Sequence, residues 1–200
     1  MGQASAPGAP PRTASLAVLL AGQAGMAALA FILAPATGIS PLALFAFDVA
    51  GLLAGLAGAL VLVLASVAMR IVAPETARRA DRDMLALFAE LGLALRWRVV
   101  VLLGAAAGIC EELLFRGALQ GWLMTLMPLA AAAALASLPF ALLHPLSRFY
   151  VAATFVISLF LGFLYALAAN LLAPILAHML YDFYALARLK ALARRPRPDS

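Results

Sequence analysis

Three short stretches in the second half of this 200-residue chain place ionisable side chains inside otherwise apolar sequence: EELLFR at residues 111–116, FALLH at 140–144 and HMLYD at 178–182. Carboxylates and imidazoles are the groups that activate water and move protons near neutral pH. At bilayer depth each costs several kcal/mol, so such groups need partners and mark function. Helical spacing sorts them. Glu112 and Arg116 are four residues apart, share a face and can pair. Glu111 points about 100° away, a carboxylate left without that partner in an apolar wall, which is the setting of a general base. His178 and Asp182 are one turn apart, as are Phe140 and His144. The only two histidines of the chain both fall in these stretches.

The elements that must position these groups are membrane helices. Hydrophobic residues make up 66% of the chain and charged residues 12%, with a mean hydropathy of +1.05, far from soluble usage. The expectation is an all-α polytopic membrane protein of about six transmembrane helices, over residues 14–36, 42–72, 99–127, 129–144, 149–168 and 171–187. The apolar runs are continuous, which excludes a β-barrel. Residues 1–13 read as a disordered leader and 14–72 as a two-helix membrane segment, in which Gly51, Gly55 and Gly58 offer close helix packing. Asp48 reads as a headgroup-level or protonated residue at the outer end of the second span. Residues 74–98 mix Glu75, Arg78, Arg79, Asp81, Arg82 and Asp83 with Met84, Leu85, Leu87 and Phe88. They are read as an amphipathic interfacial helix between helices two and three, with Trp97 at the interface. Residues 99–187 form a four-helix core and 188–200 a basic tail that touches anionic lipid.

Charge orients the chain. The formal net charge is +5, with 14 Lys and Arg against 9 Asp and Glu. All the bases except Arg116 fall on alternate sides of a six-helix chain, so both termini should be cytoplasmic. The bases sit in short loops and tails, which argues against nucleic-acid binding. Glu111 lies roughly 18 Å along a helix starting near Val99, and His178 about 15 Å from Arg188. His144 is nearer the cytoplasmic end of its helix, so a cavity opening to that half would collect all three. The single cysteine, Cys110, excludes an intramolecular disulfide or a CxxC site and reads as core beside two carboxylates.

The three stretches, in this order and on separate helices, resemble the CAAX protease and bacteriocin-processing membrane peptidases, the Abi family, which includes the type II CAAX prenyl endopeptidases. Their pattern is Glu-Glu-x-x-x-Arg, Phe-x-x-x-His and His-x-x-x-Asn/Asp. The match runs from about residue 102 to 187; the N-terminal half carries nothing family-specific. The resemblance implies hydrolysis of a peptide bond within the membrane by an activated water. Glu111 would be the general base and His144 its assistant in handling water and proton. His178 with Asp182 would polarise the scissile carbonyl, while Glu112 and Arg116 would be structural partners and Phe140 a packing residue. The implied partners are the membrane lipid bilayer and a peptide or lipidated protein substrate. The implied location is an integral membrane position, in a bacterial plasma membrane. Asp182 stands where the prenyl proteases carry Asn. A carboxylate is a poorer oxyanion donor and a better metal ligand, so zinc on Glu111, His144 and His178 stays open as a cofactor.

Other readings have their own marks. A buried ion pair in a transporter, a helix-end histidine capping carbonyls before Pro145, and a structural His178–Asp182 pair are the non-chemical accounts of the same residues. No Gly-x-Ser-Gly or His-Glu-x-x-His occurs, and Tyr181-Asp182 lacks the second acid of an aspartyl intramembrane protease. A non-catalytic immunity or assembly factor that keeps the fold and binds a peptide or partner is the alternative from a different class.

Overall fold

The computed structural model describes residues 12–194. Among them all the regular secondary structure is helical, with no strand. The leader expected over residues 1–13 therefore falls almost wholly outside the described residues, as does the end of the expected tail. In order, the elements are α1 (Arg12–Thr37), a 3₁₀ turn (Pro41–Leu44), α2 (Val49–Val72), α3 (Pro74–Glu90) and α4 (Trp97–Glu112). A π-helical stretch (Leu113–Gln120) follows, then α5 (Gly121–Leu123), α6 (Leu129–Leu142), α7 (Arg148–Ala168) and α8 (Leu172–Ala193).

Three helices are long and apolar enough to cross a membrane: Leu16–Thr37, Val49–Val72 and Arg148–Ala168. They make this a membrane protein. The other expected spans differ for physical reasons. The 14 residues of α6 rise about 21 Å, short of a hydrocarbon core roughly 30 Å thick. Helix α8 has length, at 22 residues, but Asp182, Arg188 and Lys190 dilute its apolarity. It also continues to Ala193, past the expected end at residue 187.

The local sequence explains where helices begin and end. The expected second span from residue 42 starts instead at Val49, because Asp48 caps it: Oδ1 accepts a hydrogen bond from the Gly51 N–H at 2.6 Å. Pro74 opens α3 and Gly92, at φ 64°, turns the chain after it. Pro128 precedes α6, which stops at Leu142, two residues short of His144, as Pro145 disfavours helix for the residue before it. Ser147 caps α7 through the Tyr150 N–H at 3.1 Å. At the opposite end Asn170 binds two segments together. Its side chain accepts from Ala46 N (3.1 Å) and Leu172 N (2.9 Å) and donates to Ala46 O (2.8 Å) and Asp48 Oδ2 (3.1 Å).

Helix α8 lies at the centre, packed most extensively on α2 and α4. Glycines make this possible. A methyl group at Gly55 would sit 2.8 Å from Leu176 Cβ, and one at Gly108 would sit 2.7 Å from Met179 Cβ and 2.8 Å from its backbone nitrogen. Gly108 thus lets the α4 backbone touch α8 one residue from His178 and three from Glu111. Helix α1 packs Ala30, with Met26 and Leu33, on Leu114, Phe115, Ala118 and Phe140. Helix α3 is clamped rather than loose. Arg70 of α2 donates to Asp81 at 2.8 and 3.2 Å, and Arg188 of α8 donates to the same carboxylate. Much of the remaining surface is apolar, with Leu53, Leu60, Leu64, Ile71 and Val72 of α2 all exposed, as a lipid-facing wall requires.

Candidate active site

Glu111 and Glu112 close α4 just where the helix widens into its π-helical stretch, a local irregularity that recurs at functional sites. Both are buried, at 3% and 0% exposure, yet their surroundings differ. Glu112 Oε1 accepts from Arg116 Nη1 at 2.9 Å and from His178 Nδ1 at 2.8 Å. Arg116 is also held from α7: its Nη2 donates to the Ser158 carbonyl at 2.6 Å and to Ser158 Oγ at 2.7 Å, and its guanidinium lies 4.9 Å from the centre of the Phe140 ring. One acid is thereby absorbed into a buried ion pair that ties α4 to α7 and α8.

Glu111 makes none of these contacts. Its Oε1 accepts from Gln23 Nε2 of α1 at 2.7 Å, and its Oε2 is buried with no hydrogen-bond partner among the described residues. It lies within electrostatic range of His178 and Asp182. Glu112 Oε2 is buried without a partner as well, so what sets Glu111 apart is that no cation pairs with it among the described residues.

The two histidines meet across Phe140. The Phe140 ring centroid is 5.0 Å from that of His144 and 6.0 Å from that of His178, and it packs edge-on against Phe115 at 5.0 Å. The early end of α6 leaves the Phe140 carbonyl free of its usual helical donor, since the His144 N–H turns to Ala141 O. His144 Nδ1 takes up that carbonyl at 2.8 Å. Because a carbonyl only accepts, Nδ1 carries the hydrogen, and Nε2 of the neutral ring is the free basic nitrogen. His178 is fixed likewise by Glu112 at Nδ1, and its Nε2 stands 3.6 Å from Asp182 Oδ2. The three stretches therefore come together around Phe140 and Glu112, although neither histidine hydrogen-bonds to Glu111.

Two residues outside the sequence reading join this cluster. Gln23 is the only polar side chain between Leu16 and Pro35, and a polar group inside a spanning helix is itself a signal of helix-to-helix bonding. Tyr150, in the first turn of α7, lies within electrostatic range of Asp182 and Glu111; nothing in its sequence context sets it apart. The donor set considered for zinc is not assembled. Among the described residues no three His, Cys, Asp or Glu side chains converge to hold a metal ion. Cys110 is half-buried and makes no disulfide.

No curated protein and no solved structure matches the chain. Residues 93–184, the segment that holds all three motifs, match the family model of Type II CAAX prenyl endopeptidase Rce1-like proteins, which implies CAAX-type intramembrane protease activity in general.

Proposed function

We propose that this protein hydrolyses a peptide bond of a peptide or lipidated protein substrate with a water activated by Glu111. The observation that supports the reading is the split between the two adjacent acids: Glu112 Oε1 is paired with Arg116 and His178, whereas Glu111 joins no ion pair among the described residues and accepts only from the neutral Gln23 amide. In this mechanism Glu111 Oε2 takes the proton as water attacks the scissile carbonyl, and His144 Nε2 shares in its transfer to the leaving amine. His178 sits between two carboxylates, an arrangement that accommodates a proton on each nitrogen. Its Nε2–H then donates to the developing oxyanion while Glu112 holds the ring at Nδ1, and Asp182, 3.6 Å from that Nε2, favours the protonated ring.

The reading includes six spans, with the rod from residue 97 to 123, α6 and α8 added to the three apolar helices. It places both termini in the cytoplasm, with α3 at the membrane surface. Its support is the alternation of basic loops and the polar face of α3, where Arg78 pairs with Glu75.

The test is cleavage of a prenylated CAAX peptide by the purified protein in detergent, compared with Glu111→Ala and His144→Ala. Loss in both variants with retained thermal stability supports the reading. Cleavage by wild type that survives Glu111→Ala overturns the assignment. A folded wild type that binds the peptide without cutting it points to the non-catalytic alternative.

A further inference from the structure

Away from the cluster just described, a second buried charge stands without an acid. Lys190, near the end of α8, is only 4% exposed. Its Nζ lies 4.6 Å from the centre of the Trp97 ring, and none of the ion pairs among the described residues includes it. A cation–π contact offsets part of the cost of covering an ammonium and leaves its hydrogens in need of acceptors.

Lys190 and Arg194 line one pocket of about 330 Å³ together with Leu85, Phe88, Leu93 and Leu95. No acidic side chain lines it. Its walls come from the end of α3, the link that follows and the last turns of α8. Two cations with no acid select an anionic head. Apolar walls disfavour a small hydrated anion and suit an amphiphile. In a membrane protein the amphiphile of that description in constant supply is an anionic phospholipid.

We propose that this pocket is a binding site for an anionic phospholipid, with its phosphodiester on Lys190 and Arg194 and its upper acyl chain along Leu85, Phe88 and Leu95. The site is independent of the peptidase reading, since none of its residues touches Glu111, His144 or His178.

Trp97 is a built-in reporter. In the full chain carrying Trp122→Phe, Trp97 is the only tryptophan. Short-chain phosphatidylglycerol titrated into this protein in a neutral detergent should change Trp97 emission saturably. Phosphatidylcholine of the same chain length should leave it unchanged, as should inorganic phosphate. Lys190→Met should weaken binding about tenfold or more, Lys190→Arg should retain it, and Arg194→Gln should weaken it less than Lys190→Met. Native mass spectrometry of the same variants gives a second count of retained lipid. If Lys190→Met does not fold, the arginine and Arg194→Gln variants decide the matter: equal lipid retention in both overturns the proposal. Equal responses to phosphatidylcholine and phosphatidylglycerol overturn it too. A saturable response to phosphate alone marks a plain anion site and overturns the lipid assignment.

Discussion

Gln23 of α1 donates a 2.7 Å hydrogen bond to Glu111 across 88 residues of sequence, so the carboxylate of the matched segment is held by a helix that lies outside it. In the proposed mechanism Gln23 would be a positioning residue, holding Glu111 by Oε1 while the water meets Oε2. Gln23→Leu should lower kcat by about 10- to 100-fold, the equivalent of one hydrogen bond to a charged group, with KM little changed. Gln23→Glu should be inactive at neutral pH and recover on acidification, when a protonated carboxyl can donate as the amide does. Steady-state kinetics on a prenylated peptide from pH 5 to 8 would read both. An unchanged kcat in folded Gln23→Leu would remove the role.

The two acids should separate by property. Glu111→Gln should cost about 10² to 10⁴ in rate and leave the thermal midpoint nearly in place, because its side chain joins no ion pair. Glu112→Gln takes the negative charge away from Arg116 and His178, both buried, and should cost about 3–5 kcal/mol of stability. Thermal unfolding in detergent beside the activity assay distinguishes them. Equal destabilisation by both substitutions would contradict the division of labour.

Gly108 sets how near α4 comes to α8. Even Gly108→Ala puts a methyl group against the Met179 backbone and should cost about 1–3 kcal/mol through overpacking, and a valine more. The displacement falls one residue from His178, so activity should drop further than the stability change explains. Restoration of activity by a second substitution that shrinks Met179 would locate the fault in this contact only partly, since the backbone of Met179 is also in the way.

Asn170→Ala removes four hydrogen bonds, three joining the link before α2 to the turn before α8 and one, from Leu172 N, within that turn. A loss of about 2–4 kcal/mol is expected at the usual net worth of such bonds, seen as a lower unfolding midpoint. The turn is at the far end of the bundle from Lys190, so phospholipid binding at that pocket should be unaffected.

How much of this was legible in the sequence depended on the range of the interaction. Glu112 with Arg116, and Phe140 with His144, are one helical turn apart, and period alone places them together. Pro74 and Pro128 announce helix starts for covalent reasons. What period cannot supply is the partner across the bundle. Nothing in the spacing of HMLYD says that His178 Nδ1 reaches Glu112, or that Asp81 is shared by Arg70 and Arg188. The apolar residues 42–47 read as helix because hydropathy does not register an Asp cap six residues on. Residues 113–120 read as ordinary α-helix because a π-helical turn has no compositional signature. Gln23 could have been singled out as a lone polar group in a spanning helix, but its target lay in another part of the chain.

Helix α1 meets the rest of the protein along one face, against α4 and the π-helical stretch. Only 6% of its most apolar window is buried, so the rest of its surface faces outward. A helix so exposed takes its tilt largely from the match between its own length and the hydrocarbon thickness around it. The hydrogen bond to Glu111 is therefore anchored on one side to the packed protein and on the other to the bilayer, and acyl-chain length becomes a mechanical variable acting on a single carboxylate.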